Sequence, residues 1–371
     1  MHRLIAAMRK VWESDAGASP ALQVVLIPLA KLYAAWMCIR ASLYRSGLGR
    51  TQKLPCRVIS VGNLSVGGTG KTPMVMYLAR YLVAQGLKVV VISRGYKGRL
   101  EKRGGIVTDG QKVLVGVADS GDEPQILAIQ LEGVPVIVGS NRYRAGRRAV
   151  SAYAPDVILL DDAFQHLKLQ RDLDLVLMDC SRPFGNGHTL PAGELREPPR
   201  ALSRSDAVLL TRCHDAARSA AAKASDSAVN RYTHGPVFKT RHRPVIRKII
   251  PAGDAGNAEK PLAGCRVFAF SGVAKNVEFL YTLSGCDYEV VGSLGFPDHY
   301  FYSDADLAGI CRQAESLAVD CIVTTEKDYV KIKSSARWPA DLVVLGIDIS
   351  FGDDEERFHA FIEKRINFGA D

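Results

Sequence analysis

Short unbroken apolar runs alternate with longer stretches in which apolar residues return at helical spacing, from near residue 57 to near residue 345. Arg57 to Val61, Lys88 to Ile92, Val134 to Val138, Val157 to Leu160, Leu173 to Met178 and Ala207 to Leu210 have the length and continuity of strands buried on both faces. Thr72 to Ala84 and Asn141 to Ala154 read as helices between them. Such alternation predicts an α/β fold with a mainly parallel sheet and helices on both faces. A second α/β set begins near Arg266, with strands at Val267 to Phe270, Tyr288 to Val291, Cys321 to Val323 and Leu342 to Leu345, and helices at Asn276 to Leu283 and Asp304 to Leu317. Between the two sets, Ala216 to Asn230 is rich in Ala and Ser, and the basic Lys239 to Lys248 reads as extended linker strands.

The segment before the first set differs. Ala21 to Tyr44 is apolar, with Val24, Val25, Leu26, Ile27, Leu29, Leu32, Trp36, Met37, Ile39 and Leu43, but Pro28, Lys31 and Arg40 interrupt it. It starts too late for an ordinary signal peptide. A spanning helix would leave Lys31 near the bilayer centre at a cost of about 3 kcal/mol. An interfacial helix suits it better, with Tyr33 and Trp36 at headgroup depth and Arg40, Arg45 and Arg50 beside anionic lipid. The alternative is a helix that covers its own domain.

Charge points the same way. Residues 1–60 hold nine Lys or Arg against Glu13 and Asp15, a net +7 of the chain's +9. Nucleic-acid binding spreads basic residues over a folded face, so no nucleic-acid partner is expected. With 47% hydrophobic and 23% charged residues in 371, the chain is globular rather than disordered. Its eight cysteines form no CxxC pair and no zinc spacing, which suits reduced, packing thiols.

The first strand runs into Ser65-Val66-Gly67-Gly68-Thr69-Gly70-Lys71-Thr72 and then a helix, the context a P-loop requires. In such a loop backbone N–H groups cradle phosphates, Lys71 reaches the β and γ oxygens, and the Thr72 hydroxyl is offered to Mg²⁺. Val157 to Asp162 has the form of a Walker B strand, with Asp161 and Asp162 at its end where ligands gather. Val66 stands where partition-type ATPases carry an extra lysine, and Thr325-Glu326-Lys327-Asp328 has the wrong order for a guanine-selective loop. ATP is therefore preferred to GTP, and a membrane-recruited ATPase switch is a weaker reading. A dehydrogenase is weaker still, because GxGxxG spacing is missing.

Further segments complete a set: Ser93-Arg94-Gly95-Tyr96-Lys97, Gly121-Asp122-Glu123-Pro124, Asp161-Asp162-Ala163-Phe164-Gln165-His166, Pro183-Phe184-Gly185-Asn186-Gly187, Pro191-Ala192-Gly193-Glu194-Leu195-Arg196-Glu197-Pro198 and Phe296-Pro297-Asp298-His299-Tyr300. In this order they closely resemble the tetraacyldisaccharide 4′-kinase (lipid A 4′-kinase) family of Gram-negative bacteria, across nearly the whole chain. Ser65 belongs to that family's own loop.

The resemblance implies transfer of the ATP γ-phosphoryl group to the 4′-hydroxyl of an acylated glucosamine disaccharide 1-phosphate, with ATP and Mg²⁺, by a monomer lying peripherally on the cytoplasmic face of the inner membrane. It implies a base dyad of Asp122 and His299, metal ligation among Thr72, Asp161, Asp162 and Glu197 without saying which acid binds directly, and charge stabilisation by Arg196 beside Lys71. Arg94 and Tyr96 are implied near the nucleotide. Cations for the 1-phosphate are available at Arg94, Arg142, Arg144, Arg147 and Arg148. The expected organisation is an amphipathic membrane segment at 1–50, a P-loop kinase core at 51–235, hinge strands at 236–264, and a second α/β domain at 265–371 whose last helix is free to pack back on the core.

Overall fold

The computed structural model describes residue 12 and residues 20–213, 220–252, 264–273, 276–332 and 336–366. Most of the first nineteen residues and 253–263 of the expected hinge therefore lie outside the described residues.

A first sheet of eight strands holds β1 (Arg57–Asn63), β2 (Val89–Ser93), β3 (Gly105–Thr108), β4 (Val136–Val138), β5 (Val157–Asp161), β6 (Leu173–Asp179), β7 (Ala207–Thr211) and β8 (Val237–Lys239), in the order β3-β4-β2-β5-β1-β6-β7-β8. All neighbours are parallel except β3, which pairs antiparallel with β4 at the edge. The sequence pattern misses β3: only four residues long and at an edge, it carries no alternation to detect. On one face Ile59, Val91, Leu159 and Leu175 pack against helix α2 (Lys71–Ala84), and on the other Val58, Ile92 and Ile158 pack with Ala145 and Ala149 of α5 (Arg142–Tyr153). Burial on both faces accounts for the unbroken apolar runs. Before α5 the chain forms α3 (Val117–Ser120) and α4 (Asp122–Gln130). The Ala- and Ser-rich stretch forms α6 (Ala220–Asn230), in keeping with alanine's helix preference.

The second sheet runs β11-β10-β12-β13-β9, built from β9 (Arg241–Ile250), β10 (Arg266–Ser271), β11 (Glu289–Gly295), β12 (Cys321–Thr325) and β13 (Asp341–Ser350), with only β9 antiparallel, against β13. Helices α7 (Asn276–Ser284) and α8 (Asp304–Ser316) cover it; α8 starts from a capping box between Ser303 and Asp306. A short α9 (Glu326–Tyr329) follows β12, and α10 (Glu355–Ile366) ends the described chain.

The stretch read as linker strands is a working part of both sheets. Lys239 closes β8 at the edge of the first, Arg241 opens β9 at the edge of the second, and only Thr240 separates them. Its polar look has a simple cause, because β9 is an edge strand with much of its length partly exposed. The halves also share a core. Phe358, Ile362 and Ile366 of α10 return to the first sheet beside Phe238, and Ile349 and Phe351 at the end of β13 pack in the same cluster as α2.

The N-terminal stretch folds as one helix, α1 (Pro20–Arg45), which keeps Pro28 inside it. Ala30, Met37 and Ala41 form a buried stripe, while Val24, Val25, Leu29, Leu32, Trp36, Ile39 and Leu43 are exposed. One stripe covers the protein, as the alternative reading expects, and the apolar residues on the rest of the helix are exposed. Tyr33 departs from its expected headgroup position. It is half-buried, and its hydroxyl donates to the Arg196 carbonyl at 3.0 Å. Arg40 is likewise turned inward, donating to the Gln165 carbonyl at 3.0 Å, which leaves Lys31, Arg45 and Arg50 as the exposed cations.

Candidate active site

Chemistry gathers at the carboxyl ends of β1, β2, β5 and β7, as expected of an open parallel sheet. β1 ends in Asn63, whose side-chain amide donates to the Gly67 carbonyl at 3.4 Å and to the Thr69 hydroxyl at 3.0 Å, folding the following loop back on itself. Gly70, at φ +84°, precedes the first turn of α2; a Cβ there would also meet Nε2 of His242, from β9, at 2.6 Å. From below, the Thr211 hydroxyl donates to the Thr69 carbonyl at 3.1 Å and Arg212 donates to that of Gly68. Arg212 also pairs with Asp179 at 2.6 Å and with Glu278 of α7 at 3.1 Å, so it ties the loop to both halves. The other flank is a short ladder: Val66 N donates to the Glu194 carbonyl at 2.7 Å and Arg196 N to that of Leu64 at 2.6 Å. Ser65 through Thr72 thus form a held loop opening a helix, the geometry that binds phosphate through backbone N–H groups.

Lys71 opens α2 and its ammonium lies 3.7 Å from Asp162. Arg196 donates to both oxygens of the same carboxylate, at 2.8 and 2.9 Å. Burial would raise the Asp162 pKa, but the Lys71 and Arg196 cations dominate and hold it at about 2. Asp161 contrasts with it. One oxygen accepts from the Ser93 hydroxyl at 2.9 Å, and the other is buried with no hydrogen-bond partner. Burial, with Glu123 and Asp162 nearby, pushes Asp161 up to about 7. An unpartnered buried carboxylate oxygen at the end of the Walker strand, with Thr72 in the first turn of the helix that follows the neighbouring strand β1, fits a divalent cation. Glu197 fits less well: it is buried and paired with Arg204 at 3.0 Å. Among the described residues no three His, Cys, Asp or Glu side chains come together as a metal cluster, so the candidate ligands Asp161, Asp162 and Glu197 are not gathered at one point.

The most informative contact joins the two sheets. His299 Nδ1 lies 2.7 Å from Asp122 Oδ2, although 177 residues separate them. Asp122 is the first residue of α4, following Gly121 at φ 85°, where a Cβ would strike the Tyr96 carbonyl at 2.7 Å. His299 lies in the turn after β11 with φ 62°, and the Tyr96 ring meets it edge-on at 5.6 Å. Burial alone would raise the Asp122 pKa; its hydrogen bond with His299 and the Lys327 ammonium hold it below the usual carboxylate range. Asp162, Arg212 and His299 all take the left-handed backbone region, an uncommon choice for side chains other than glycine and one that concentrates at functional sites.

Arg142 is a correction to the expected cation set. It is buried, donating to the carbonyls of Gly139 at 2.9 Å and Asp161 at 3.3 Å, and burial pushes it down to about 10. Its two bonded nitrogens brace the Walker strand, so it is not the free surface cation that the expected set assumes. Arg144, Arg147 and Arg148 are exposed along α5, whereas Arg94 follows β2 into the site, paired with Glu101 at 2.7 Å and 5.9 Å from the Tyr96 ring. His242, Arg212 and Lys327 escape a sequence reading because each meets a partner distant in the chain, whereas the partners of Asn63 are the nearby Gly67 and Thr69. Only Asn63 carried a signal, its place next to the loop.

Beside these residues α1 and the 3₁₀ turn Pro199–Arg204 border a cleft of about 630 Å³, lined by Met37, Ala41, Arg45, Glu197, Arg200 and Arg204 among others.

The family model for tetraacyldisaccharide-1-P 4′-kinase matches residues 22–367. A tetraacyldisaccharide 4′-kinase of Desulfatibacillum aliphaticivorans is 38% identical over 374 residues, covering 99% of this chain and 98% of that protein. The enzyme of the same name from Geobacter metallireducens is 42% identical over 315 residues, covering 84% and 89%. A crystal structure of LpxK from Aquifex aeolicus in complex with ATP superposes with a TM-score of 0.70 at 30% identity, covering 93% of this chain and 99% of that one. A P-loop with its Walker strand, a carboxylate and histidine meeting across two sheets, and relatives matched along nearly their full length agree: the chain belongs to the tetraacyldisaccharide-1-P 4′-kinase family.

Proposed function

We propose that this 4′-kinase moves the γ-phosphoryl group of ATP to the 4′-hydroxyl of a tetraacylated disaccharide 1-phosphate with Asp122 and His299 as its base, working as a monomer from the cytoplasmic surface of the inner membrane. The observation that carries the reading is the 2.7 Å contact between Asp122 and His299. A sugar hydroxyl must lose its proton as it attacks phosphorus, and a carboxylate kept ionised beside an imidazole suits that task.

The other residues take roles that follow from their surroundings. Backbone N–H groups of 65–72 hold the phosphates, with Arg94 and Tyr96 at the mouth of the nucleotide site. Lys71 and Arg196 are cations already gathered on Asp162, placed to stabilise charge that develops on transfer. Thr72 and Asp161 would hold Mg²⁺, which supplies neutralisation of phosphate charge when bound. Asp162 serves here to position Lys71 and Arg196, and Glu197 to fix Arg204. The lipid lies along α1, with its acyl chains toward the exposed apolar surface and the cleft beside Pro199–Arg204. The strand pair joined at Thr240 acts as the hinge between the P-loop half and the half carrying His299.

The test is transfer of labelled γ-phosphate from ATP to the disaccharide 1-phosphate in mixed micelles. Asp122→Asn should lower kcat by about a hundredfold or more with ATP KM little changed, and Lys71→Ala should fall at least as far. Wild-type kcat in folded Asp122→Asn would overturn the base assignment.

A further inference from the structure

The Thr325-Glu326-Lys327-Asp328 segment, whose order excludes a guanine loop, lies against the dyad. Thr325 caps α9, its hydroxyl donating to Asp328 Oδ2 at 2.7 Å and accepting from Asp328 N at 3.2 Å. Asp328 is fully buried and paired with the equally buried Lys331 at 3.1 Å, so the short helix is anchored from below. The anchoring directs Lys327, next along the turn, away from its own sheet. Its ammonium reaches Asp298 Oδ1 at 3.0 Å and lies 4.0 Å from Asp122 Oδ2. Asp298 in turn lies 3.7 Å from His299 Nε2, and His299 Nδ1 bonds Asp122. Four side chains from three separate segments close a ring: Asp122, His299, Asp298, Lys327.

We propose that Lys327 is a positioning residue of the phosphoryl-transfer site, its charge setting the proton affinity of the Asp122–His299 pair and holding the His299 turn against α4. This rests on the dyad reading. With His299 neutral the ring carries two carboxylates and one ammonium, a net charge of −1, and accepting one proton from the sugar hydroxyl brings it to zero. Removal of Lys327 leaves −2, so the pair would hold a proton at higher pH and be blocked as a base where the intact ring is ready. The groups facing the pair are few. Asp122 and Glu123 come from α4, Asp298 and His299 from the turn after β11, and Lys327 from α9 with Lys331 behind it; the Tyr96 ring flanks His299, with Lys97 and Arg94 within 6 Å of that ring. Among the described residues Lys327 is the cation that lies within 4.0 Å of both carboxylates. Its own affinity for its proton is consistent with this: burial pulls it down, and Asp122, Glu123 and Asp298 more than offset that.

The experiment is the pH profile of kcat for lipid phosphorylation at saturating MgATP, for the full chain and for Lys327→Met, Lys327→Arg and Asp298→Asn. An opposite charge at this distance lowers a neighbour's pKa by one unit or more, so Lys327→Met should move the acid limb upward by about one unit. That is about a tenfold loss at any pH below both limbs, shrinking toward alkaline pH. ATP KM should be unchanged and Lys327→Arg should keep the limb near its original place. Asp298→Asn removes a negative charge from the same ring and should move the limb the opposite way. Opposite shifts from two neighbouring substitutions cannot come from loosened packing. If the folded Lys327→Met enzyme loses activity equally at every pH, or both variants shift the limb the same way, the inference is overturned; should Lys327→Met fail to fold, an unmoved or upward limb in Asp298→Asn overturns it by itself. Asp122→Asn, run alongside, separates the two failures, because wild-type turnover there would sink the dyad reading itself.

Discussion

Asp161 and Asp162 are adjacent in sequence yet have opposite proton affinities, and the cause is the partners each meets. Asp162 has two cations and stays ionised at any physiological pH; Asp161 has a hydroxyl and an unpartnered oxygen, and titrates at about 7. A divalent cation must displace that proton. Its apparent affinity, read by calorimetry with Mg²⁺ and a non-hydrolysable ATP analogue, should therefore weaken as pH falls from 8 to 6, by approaching tenfold per unit below about 7. Asp161→Asn should bind more weakly and lose that pH dependence, whereas an unchanged slope would remove Asp161 from the metal site. This contrast was not legible in two consecutive aspartates, because it depends on Ser93, Arg196 and Lys71, which arrive from other elements. Gly67, Gly68 and Gly70 were legible for the converse reason. Backbone shape at a phosphate loop restricts the residue itself, so the requirement is written in the sequence.

Among the elements, the buried strands and helices α2 and α5 follow from their apolar pattern; the edge strand β3 and helices α3 and α4 do not, and β9 shows only as an extended basic stretch, because an edge strand keeps a polar face. Helix α1 is the element whose surface is hardest to explain by packing alone. Gln23–Arg45 is apolar and long enough to cross a membrane by length and composition, yet its Ala30, Met37 and Ala41 stripe is taken up by the protein, with Thr189 donating to the Ala30 carbonyl at 2.8 Å. A helix fixed along one side is better suited to lie in the interface than to span it. Val24, Leu32 and Trp36, 73%, 69% and 60% exposed, stand out on the unpartnered face, and Trp36 is the largest of them. Burying a large apolar side chain is worth about 1.5–3 kcal/mol, so Trp36→Ala should weaken cosedimentation with anionic vesicles by about tenfold or more. Raising salt should weaken it further by screening Lys31, Arg45 and Arg50. Binding that resists carbonate extraction, or that ignores both the substitution and the salt, would contradict an interfacial helix.

At the scale of the molecule, the two halves are joined more closely than two α/β sets in succession suggest. The last helix crosses back: Phe358 is fully buried, stacked on Phe351 at 4.1 Å and meeting Phe238 edge-on at 5.2 Å. Phe358→Ala should destabilise the protein by about 3–5 kcal/mol in urea unfolding, a loss felt in the P-loop half although the residue lies far beyond it in sequence. The return of α10 needed a partner surface to be known, so sequence allowed it without requiring it. The same closeness brings the carboxyl ends of both sheets together at one point, where Asp122 of the first meets His299 of the second. If these two residues form the base, proton removal depends on the apposition of the two halves. If the two residues work as a unit, Asp122→Asn and His299→Ala should each lower kcat for lipid phosphorylation with little effect on ATP affinity. The double mutant should then be scarcely worse than the more damaged single mutant, because removing either half already disables the pair. The acid limb of the rate belongs to the pair rather than to either residue, and Asp122 is held below the ordinary carboxylate range by its hydrogen bond with His299 and by the Lys327 ammonium. A cycle in which the two losses multiply in full would mean that the residues act independently, and a loss confined to ATP affinity would move both of them from the base to the nucleotide site.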